Sequence, residues 1–293
     1  PEVLANHGQE QFNGNHLILT INSTYSHSSV SLSPLTGNIT TLNLTTKNTG
    51  PTPITINTYA SPESPSEFVS TGSNVSVESI TGSANSISPG TYSVTLRSEH
   101  GTAIANDTAT VTVEPRSTVG LTAYTTREAV PGEFENTTAI RAAVADGTLT
   151  PATTAGANDT VVYGVNATGL TGLPAAANAS LDRGADLARL DGLSFGVTRT
   201  NASESTASAE GNALGPVPNE STVHLDRAGL FVVADGETAF GTDSPPADGQ
   251  TYETAFSVDD ERLNRTGDDD LVTTRLTYAA DTVDRPPETG SAN

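Results

Sequence analysis

Two runs of alternating apolar and polar residues, within residues 89–113, constrain the fold more than any other part of the sequence. A side-chain period of two is the pattern of a β-strand with one buried face. The apolar positions are Tyr92, Val94, Leu96, Ala109, Val111 and Val113. A polar Glu99-His100-Gly101 reversal separates the runs, so the sequence predicts an antiparallel hairpin. Tyr92 lies at the start of the first strand, just after Pro89-Gly90, which suits the tyrosine corner of immunoglobulin-like sandwiches, and a hairpin of another fold is the alternative.

The hairpin closes a series of short predicted strands. Further alternating segments lie at residues 16–23, 30–32, 42–46, 54–59 and 75–80. About seven short strands in roughly 100 residues is the number expected for one sandwich. We therefore predict an immunoglobulin-like β-sandwich over residues 16–115, preceded by a polar N-terminal arm over residues 1–15.

The remaining chain predicts a second, larger β-domain over residues 117–283. Its predicted strands lie at residues 121–124, 161–165, 193–197, 230–233, 252–258 and 272–278. Residues 134–144 predict a short helix that Glu135 or Asn136 caps and Gly147 ends, and part of 174–190 is expected to be helical. Residues 284–293 resemble a linker. The predicted fold class is thus mainly all-β: tandem immunoglobulin-like sandwiches, the second with helical insertions.

The charge of the chain indicates which surroundings it tolerates. Its 34 acidic residues outnumber 13 basic ones, the net charge is −21, and Lys47 is the single lysine. At about 1 M salt the Debye length falls to about 3 Å, so neighbouring carboxylates no longer repel one another strongly. This composition favours adaptation to high salt. It disfavours nucleic acid as a partner, because phosphate binding depends on lysine and arginine.

Other residue types limit the chemistry further. The chain has no cysteine, which excludes disulfides, thiolate metal sites and cysteine nucleophiles. No apolar run approaches the roughly 18 residues of a membrane-spanning helix, so we expect no membrane span in this segment.

Sequons for N-glycosylation are more frequent than chance predicts. The composition predicts roughly five Asn-x-Ser/Thr triplets, whereas the chain has twelve. Their asparagines are Asn22, Asn38, Asn43, Asn74, Asn106, Asn136, Asn158, Asn166, Asn178, Asn201, Asn219 and Asn264. Accidental enrichment in a threonine-rich chain is the alternative, but the excess favours an exported protein with surface glycans. Asn43 lies between Leu42 and Leu44, so its side chain should face solvent if both leucines face the core.

Four short segments carry a resemblance to a known group of proteins. They are residues 90–96 (GTYSVTL), 109–114 (ATVTVE), 123–127 (AYTTR) and 132–136 (GEFEN). They resemble the tandem β-domain segments of haloarchaeal secreted surface glycoproteins, a group that includes S-layer glycoproteins. The resemblance implies sandwiches outside the cell that carry glycans and contact one another laterally. It implies no catalytic residues.

An acidic segment near the C-terminus is a candidate metal site. Its carboxylates belong to Asp259, Asp260, Glu261, Asp268, Asp269 and Asp270. Clustered carboxylates between two predicted strands could hold Ca²⁺ or Mg²⁺. Their spacing does not match an EF-hand loop, which favours a solvated acidic surface over a structural Ca²⁺ site. We expect no other cofactor.

One catalytic motif occurs, in a context that does not support it. Residues 192–196 match Gly-x-Ser-x-Gly, which requires a strand–turn–helix and a later acid and histidine. Residues 193–197 instead alternate as a strand, and only His224 follows. The five histidines lack ligand spacing, and we expect them to be solvated in loops. We therefore expect no enzyme, and a secreted hydrolase using Ser194 is the remote alternative.

These observations favour a structural role outside the cell. We expect a glycosylated, salt-adapted subunit of a surface layer, filament or envelope spike of a halophilic archaeon, located at the cell surface. Self-association into a lattice or filament is the expected interaction, with neighbouring surface proteins or glycans as further partners. An adhesin, or a module that binds a glycan or another cell, is the alternative.

Overall fold

The computed structural model divides the chain into two compact units. It describes residues 2–5, 16–23, 27–34, 39–47, 50–58, 60–82, 87–100, 103–171, 173–176, 180–190, 192–200, 214–218, 220–242, 246–259 and 271–280. The first unit comprises the described residues up to Ser117 together with residues 168–176, and the second comprises the other described residues from Thr118 onward. The first unit is therefore discontinuous in sequence. Residues 168–176 belong to it, although residues 118–167, which precede them, belong to the second unit.

The elements of the first unit are mostly strands. They are β1 (Glu2–Ala5), β2 (His16–Ser23), β3 (His27–Pro34), β4 (Thr40–Thr46), β5 (Gly50–Asn57), α1 (Pro65–Phe68), β6 (Val69–Thr71), β7 (Val75–Thr81), β8 (Gly90–His100) and β9 (Ala103–Val113). Sheet A has the strand order β1-β2-β5-β6, and sheet B has the order β7-β4-β3-β8-β9. Every pairing in the two sheets is antiparallel.

Alternation along the strands places one face of each sheet in a shared core. Side chains from both sheets form one buried cluster that includes Leu42, Ile54, Phe68, Val94 and Val111. Burying an apolar side chain of this size contributes roughly 1.5–3 kcal/mol. The hairpin predicted at residues 89–113 is confirmed as β8 and β9, which pair from Gly90↔Val113 to His100↔Ala103.

Part of the predicted N-terminal arm is a strand. Residues Glu2–Ala5 form β1, which pairs with β2 from Glu2↔Asn22 to Ala5↔Leu19. Sequence patterns missed β1 because four residues are too few to establish a period, and residues 6–15 lie outside the described residues.

The second unit contains the remaining strands and the longest helix. Its elements are β10 (Thr118–Thr126), a 3-10 helix (Pro131–Glu133), α2 (Thr137–Asp146), β11 (Thr150–Pro151), β12 (Thr154–Ala155), β13 (Thr160–Ala167), a 3-10 helix (Gly184–Arg189), β14 (Leu193–Arg199), β15 (Thr222–Asp226), β16 (Gly229–Asp235), β17 (Thr251–Val258) and β18 (Val272–Tyr278); α3 (Leu173–Ala176) belongs to the first unit. Sheet C has the order β11-β10-β13-β16-β15, and sheet D has the order β12-β18-β17-β14, in which only β12 and β18 are parallel.

Sheet C is covered on both faces at its centre. Ile140 of α2 packs against Val162 and Phe231 on one face. On the other face, the rings of Tyr163 and Phe195 lie 5.9 Å apart, and the Tyr163 hydroxyl donates a hydrogen bond to the carbonyl oxygen of Ala239. Burial on both faces explains why β13 and β16 are almost continuously apolar rather than alternating.

The helix α2 ends where the sequence predicts and begins slightly later. The Asn136 Oδ1 accepts a hydrogen bond from the Ala139 backbone amide at 2.9 Å, and Gly147 has the left-handed φ of 87° typical of a helix C-terminus. Because Asn136 is the N-cap, α2 starts at Thr137, and residues 131–133 form a separate 3-10 helix before it. Where the structure describes residues 174–190, the predicted helix is limited to α3 and a 3-10 helix.

An ion pair ties α2 to sheet C. The Arg141 guanidinium donates two hydrogen bonds of 2.9 Å to the Asp226 carboxylate and lies 4.9 Å from the centre of the Phe231 ring. A bidentate pair fixes the side-chain geometry more firmly than a single contact.

Strands make up most of both units, so the all-β fold class is confirmed. The immunoglobulin-like classification of the two units stays a prediction.

The tyrosine corner can be tested by removing one oxygen. The Tyr92 hydroxyl donates to the Ser88 carbonyl at 2.6 Å. Tyr92→Phe should lower the free energy of unfolding by about 0.5–1.5 kcal/mol in chemical denaturation, because one intramolecular hydrogen bond is lost. Thr110→Val, which removes an exposed hydroxyl from β9, is the control and should cause no loss. Equal losses in both variants would show that the hydroxyl of Tyr92 has no special role.

Candidate functional site

The sequons on central strands show how a strand orients a glycosylation sequence. In β4, Asn43 and Thr45 are half-buried on the outer face of sheet B, while Leu44 between them is 2% exposed and faces the core. Asn43 faces outward as expected, although its Nδ2 donates a 2.8 Å hydrogen bond to the Ser79 hydroxyl. Asn22 lies in β2, also between two paired strands.

Two further sequons lie where the chain is more accessible. Asn106 is exposed on β9, the edge strand of sheet B, and is paired with Arg97. Asn74 is exposed in the turn that precedes β7, and its sequon hydroxyl, Ser76, is also exposed. Both asparagines can carry a sugar without any change in the core.

Capping and glycosylation would use different atoms of the asparagine that caps α2. Its Oδ1 is the capping acceptor, whereas an N-linked sugar bonds to Nδ2. Glycosylation at Asn136 is therefore compatible with the cap.

The sequon at Asn158 is divided between surface and interior. Asn158 is exposed, but the hydroxyl-bearing Thr160 is 3% exposed, and its Oγ1 donates a 2.7 Å hydrogen bond to the Ala129 carbonyl. Asp159 between them accepts hydrogen bonds from Arg127 and from the Gly156 amide. The sequon hydroxyl is thus sequestered in the folded chain.

Asn166 is exposed on β13, at the centre of sheet C. The other five predicted sites, Asn38, Asn178, Asn201, Asn219 and Asn264, lie outside the described residues.

The structure describes only one of the predicted metal ligands. Asp259 is exposed after β17 and accepts hydrogen bonds from the hydroxyls of Ser194 at 2.6 Å and Ser257 at 2.5 Å. Asp260, Glu261, Asp268, Asp269 and Asp270 lie outside the described residues. Within the described part of the chain, no group of three or more histidines and acidic residues is placed to hold a metal ion. The Ca²⁺ site stays a prediction.

Ser194 lies in a strand rather than on a nucleophile elbow. It is the second residue of β14 and pairs with Ser257 of β17, and its hydroxyl donates a hydrogen bond to the Asp259 carboxylate. The elbow requires a sharp turn between a strand and a helix, and the residues around Ser194 continue as a strand. The geometry of that motif is therefore not present at Ser194.

The expectation that the histidines lie in loops is wrong for four residues. His16, His27, His100 and His224 lie in strands, because backbone pairing there depends on neighbouring residues rather than on the histidine itself. His224 of β15 is half-buried, and burial lowers its pKa, although a hydrogen bond to the Phe134 backbone and the nearby Asp182 act in the opposite direction.

Comparison with known proteins leaves the function open. No protein-family model matches the chain, and no curated protein matches it. Among the described residues, no helix has the length and apolar character needed to cross a membrane.

The cap and the sequon at Asn136 can be separated by mutation. Asn136→Ala should lower the free energy of unfolding by about 0.5–2 kcal/mol, because the Ala139 amide loses its acceptor. Thr138→Ala removes the same sequon but keeps the capping side chain, so it should retain most of that stability in denaturant titrations. If Thr138→Ala is as destabilising as Asn136→Ala, the contribution of the cap is refuted.

Acidification should test the environment of His224. A histidine whose pKa is lower folded than unfolded binds protons preferentially in the unfolded chain, so its contribution is complete above about pH 6.5 and is lost as the pH falls below that value. His224→Gln should therefore reduce the drop in unfolding midpoint between about pH 8 and about pH 5. Parallel pH curves for the two proteins would contradict the lowered pKa.

Proposed function

We propose that the chain is a glycosylated structural subunit of an extracellular surface assembly of a halophilic archaeon, such as a surface layer, filament or envelope spike. The observation that supports this best is the placement of the sequons. Six sequon asparagines have described side chains, and five of them are exposed: Asn74, Asn106, Asn136, Asn158 and Asn166. Sugars at these positions would cover the surfaces of both units.

The outer face of sheet B adds support because it is almost uncharged. Its outward side chains on β3, β8 and β9 are Ser29, Ser31, Ser33, Thr91, Ser93, Thr95, Arg97, Asn106, Thr108, Thr110 and Thr112. This face is hydrated by hydroxyl groups rather than by the carboxylates that give the chain its net charge of −21. Asn43 and Asn106 belong to one cross-strand row on this face, so two glycans could hydrate it.

Surface charge supports a location in high salt. At about 1 M salt, dissolved ions screen charges beyond a few ångströms and so remove most of the repulsion between exposed carboxylates. In dilute buffer, the negative charge of the chain opposes the compact folded state. The proposed glycans and the acidic side chains would then both hydrate the protein, each on a different part of its surface.

The N-terminal strand offers a means of assembly. β1 is the edge strand of sheet A and pairs with β2 of its own chain. A strand of this kind can pair with β2 of a neighbouring copy through the same backbone hydrogen bonds, which is strand exchange between identical subunits. Residues 1–15 would be the donated segment.

Sedimentation velocity in multimolar salt tests this proposal. The full chain should form assemblies, and deletion of residues 1–15 should abolish them while the β-sheet circular dichroism is retained. Deletion of residues 284–293 is the control and should leave assembly intact. A full chain that stays monomeric would contradict the structural role, and assembly that survives the N-terminal deletion would refute strand donation alone.

A further inference from the structure

Sheet edges determine where a β-protein can pair with another chain. The outermost strand of a sheet has backbone amides and carbonyls on one side that its own sheet does not use, and folded proteins shorten, bend, charge or cover such strands. In the described part of the chain the edge strands are β1 and β6 of sheet A, β7 and β9 of sheet B, β11 and β15 of sheet C, and β12 and β14 of sheet D. All of them except β9 are limited in one of these ways.

Four edge strands are too short to accept much of a neighbouring chain. β1 has four residues, β6 has three, and β11 and β12 have two each. β11 also contains Pro151, which has no amide hydrogen to donate. A strand added at any of these edges would gain few backbone hydrogen bonds.

Two longer edge strands are covered by other segments of the chain. The Val197 amide of β14 donates a hydrogen bond to the Pro216 carbonyl at 3.0 Å. The Val223 amide of β15 donates to the Asp182 carbonyl, also at 3.0 Å. In both strands, part of the outer side is therefore occupied.

The edge strand β7 is bent and charged. Its partner strand β4 pairs Asn43 with Ser79 and then Leu44 with Val77, so Glu78 is an extra residue in β7. This is a β-bulge, which bends the edge, and the side chain of Glu78 is exposed. A bulge and a charge together oppose pairing along β7.

The remaining edge, β9, lacks these features over most of its length. Its eleven residues pair with β8 without a register shift, and none of them is proline or lysine. Its one charged residue is Asp107, whose carboxylate accepts a hydrogen bond from the Thr108 amide at 2.9 Å. β1 lies beside β9 but pairs with β2, so within the described residues no strand pairs with β9 on the side away from β8.

The outward side chains of β9 are suited to an antiparallel neighbour of the same kind. Thr108, Thr110 and Thr112 are all exposed. Thr112 faces Thr91 of β8, with 3.5 Å between the hydroxyl oxygens. Thr108 faces Thr95 of β8 at the same separation. Threonine pairs across antiparallel strands are favourable, so a neighbour with threonines at the same spacing would extend both rows.

Charge favours a second copy of the chain as that neighbour. Two copies with a net charge of −21 each repel one another where their acidic surfaces meet, whereas residues 108–113 have no charged side chain. A two-fold axis through Thr110 places β9 opposite itself in the antiparallel direction. Thr110 then faces Thr110 of the other copy, and Thr108 faces Thr112.

We propose that two copies of the chain pair through β9, antiparallel about a two-fold axis at Thr110, so that their B sheets form one continuous sheet. The inference rests on the proposed function, because it names one contact of the surface assembly. It is separate from the donation of residues 1–15, which involves sheet A. The two copies of Asn106 lie eight residues apart along the paired strands, or about 27 Å, so both can carry sugar on the outer face.

Single cysteines test this pairing in the full chain, which has no cysteine of its own. At multimolar salt, Thr110→Cys should form a covalent dimer with diamide or with a two-carbon bis-thiosulfonate, because directly paired Cβ atoms lie about 4.5–5.5 Å apart. Dimers are measured by non-reducing gel electrophoresis after the remaining thiols are blocked. Thr273→Cys, at an exposed position of β18, is the matched control and should stay monomeric on the gel.

Two further cysteines test the register. Thr108→Cys alone and Thr112→Cys alone should not cross-link, because the two copies of each residue would lie roughly 14 Å apart, four residues along the strand. Coexpression of the two variants should give a cross-linked heterodimer. All three threonines are exposed, so each reduced variant should retain the β-sheet circular dichroism of the wild type.

The results separate this contact from the proposed function. Assembly of the full chain without a cross-link at Thr110→Cys would overturn pairing through β9 and leave the surface subunit intact. Cross-linking of Thr108→Cys with itself, or equal cross-linking of Thr273→Cys, would also overturn it. A specific Thr110→Cys dimer that never grows larger would support the pairing and contradict the larger assembly. Neither cross-link nor assembly would overturn both.

Discussion

Each unit depends on burying one face of an antiparallel sheet against a second layer. In the first unit, alternate residues of sheets A and B meet in one apolar cluster, to which Phe68 of α1 also contributes. In the second unit, α2 covers one face of sheet C, and the ring contact between Tyr163 and Phe195 connects its other face to sheet D. The alternation that fills the core also determines which positions are left for surface chemistry.

The same rule connects the fold with the proposed role. Because a sequon in a strand places its asparagine and hydroxyl on one face, a buried middle residue such as Leu44 forces Asn43 outward. The hydroxyl-rich outer face of sheet B and the exposed Asn106 at its edge follow from this arrangement. Carboxylates elsewhere, and sugars here, would together keep an acidic β-protein hydrated in brine.

Local patterns predicted most of the strands and the helix α2 with a cap at Glu135 or Asn136, of which Asn136 forms it, since these features depend on residues close in sequence. They missed β1, which is too short to establish a period, and β15, which pairs with the adjacent β16, and they extended the helix within residues 174–190. The environment of Asn166 was also beyond sequence reasoning: Gly120 and Gly229 become its neighbours only through the register of three strands. Likewise, the spacing at Ser194 did not reveal that its hydroxyl contacts Asp259.

The central claim is that this chain is a sugar-bearing building unit of a surface assembly. Electron cryo-microscopy of the native envelope material, kept in high salt, tests it most directly. The account predicts a repeating array or filament in which the two β-units are recognisable and branched density projects from exposed sequon asparagines. Isolated particles without repeat, with bare asparagines at all of these positions, would contradict it.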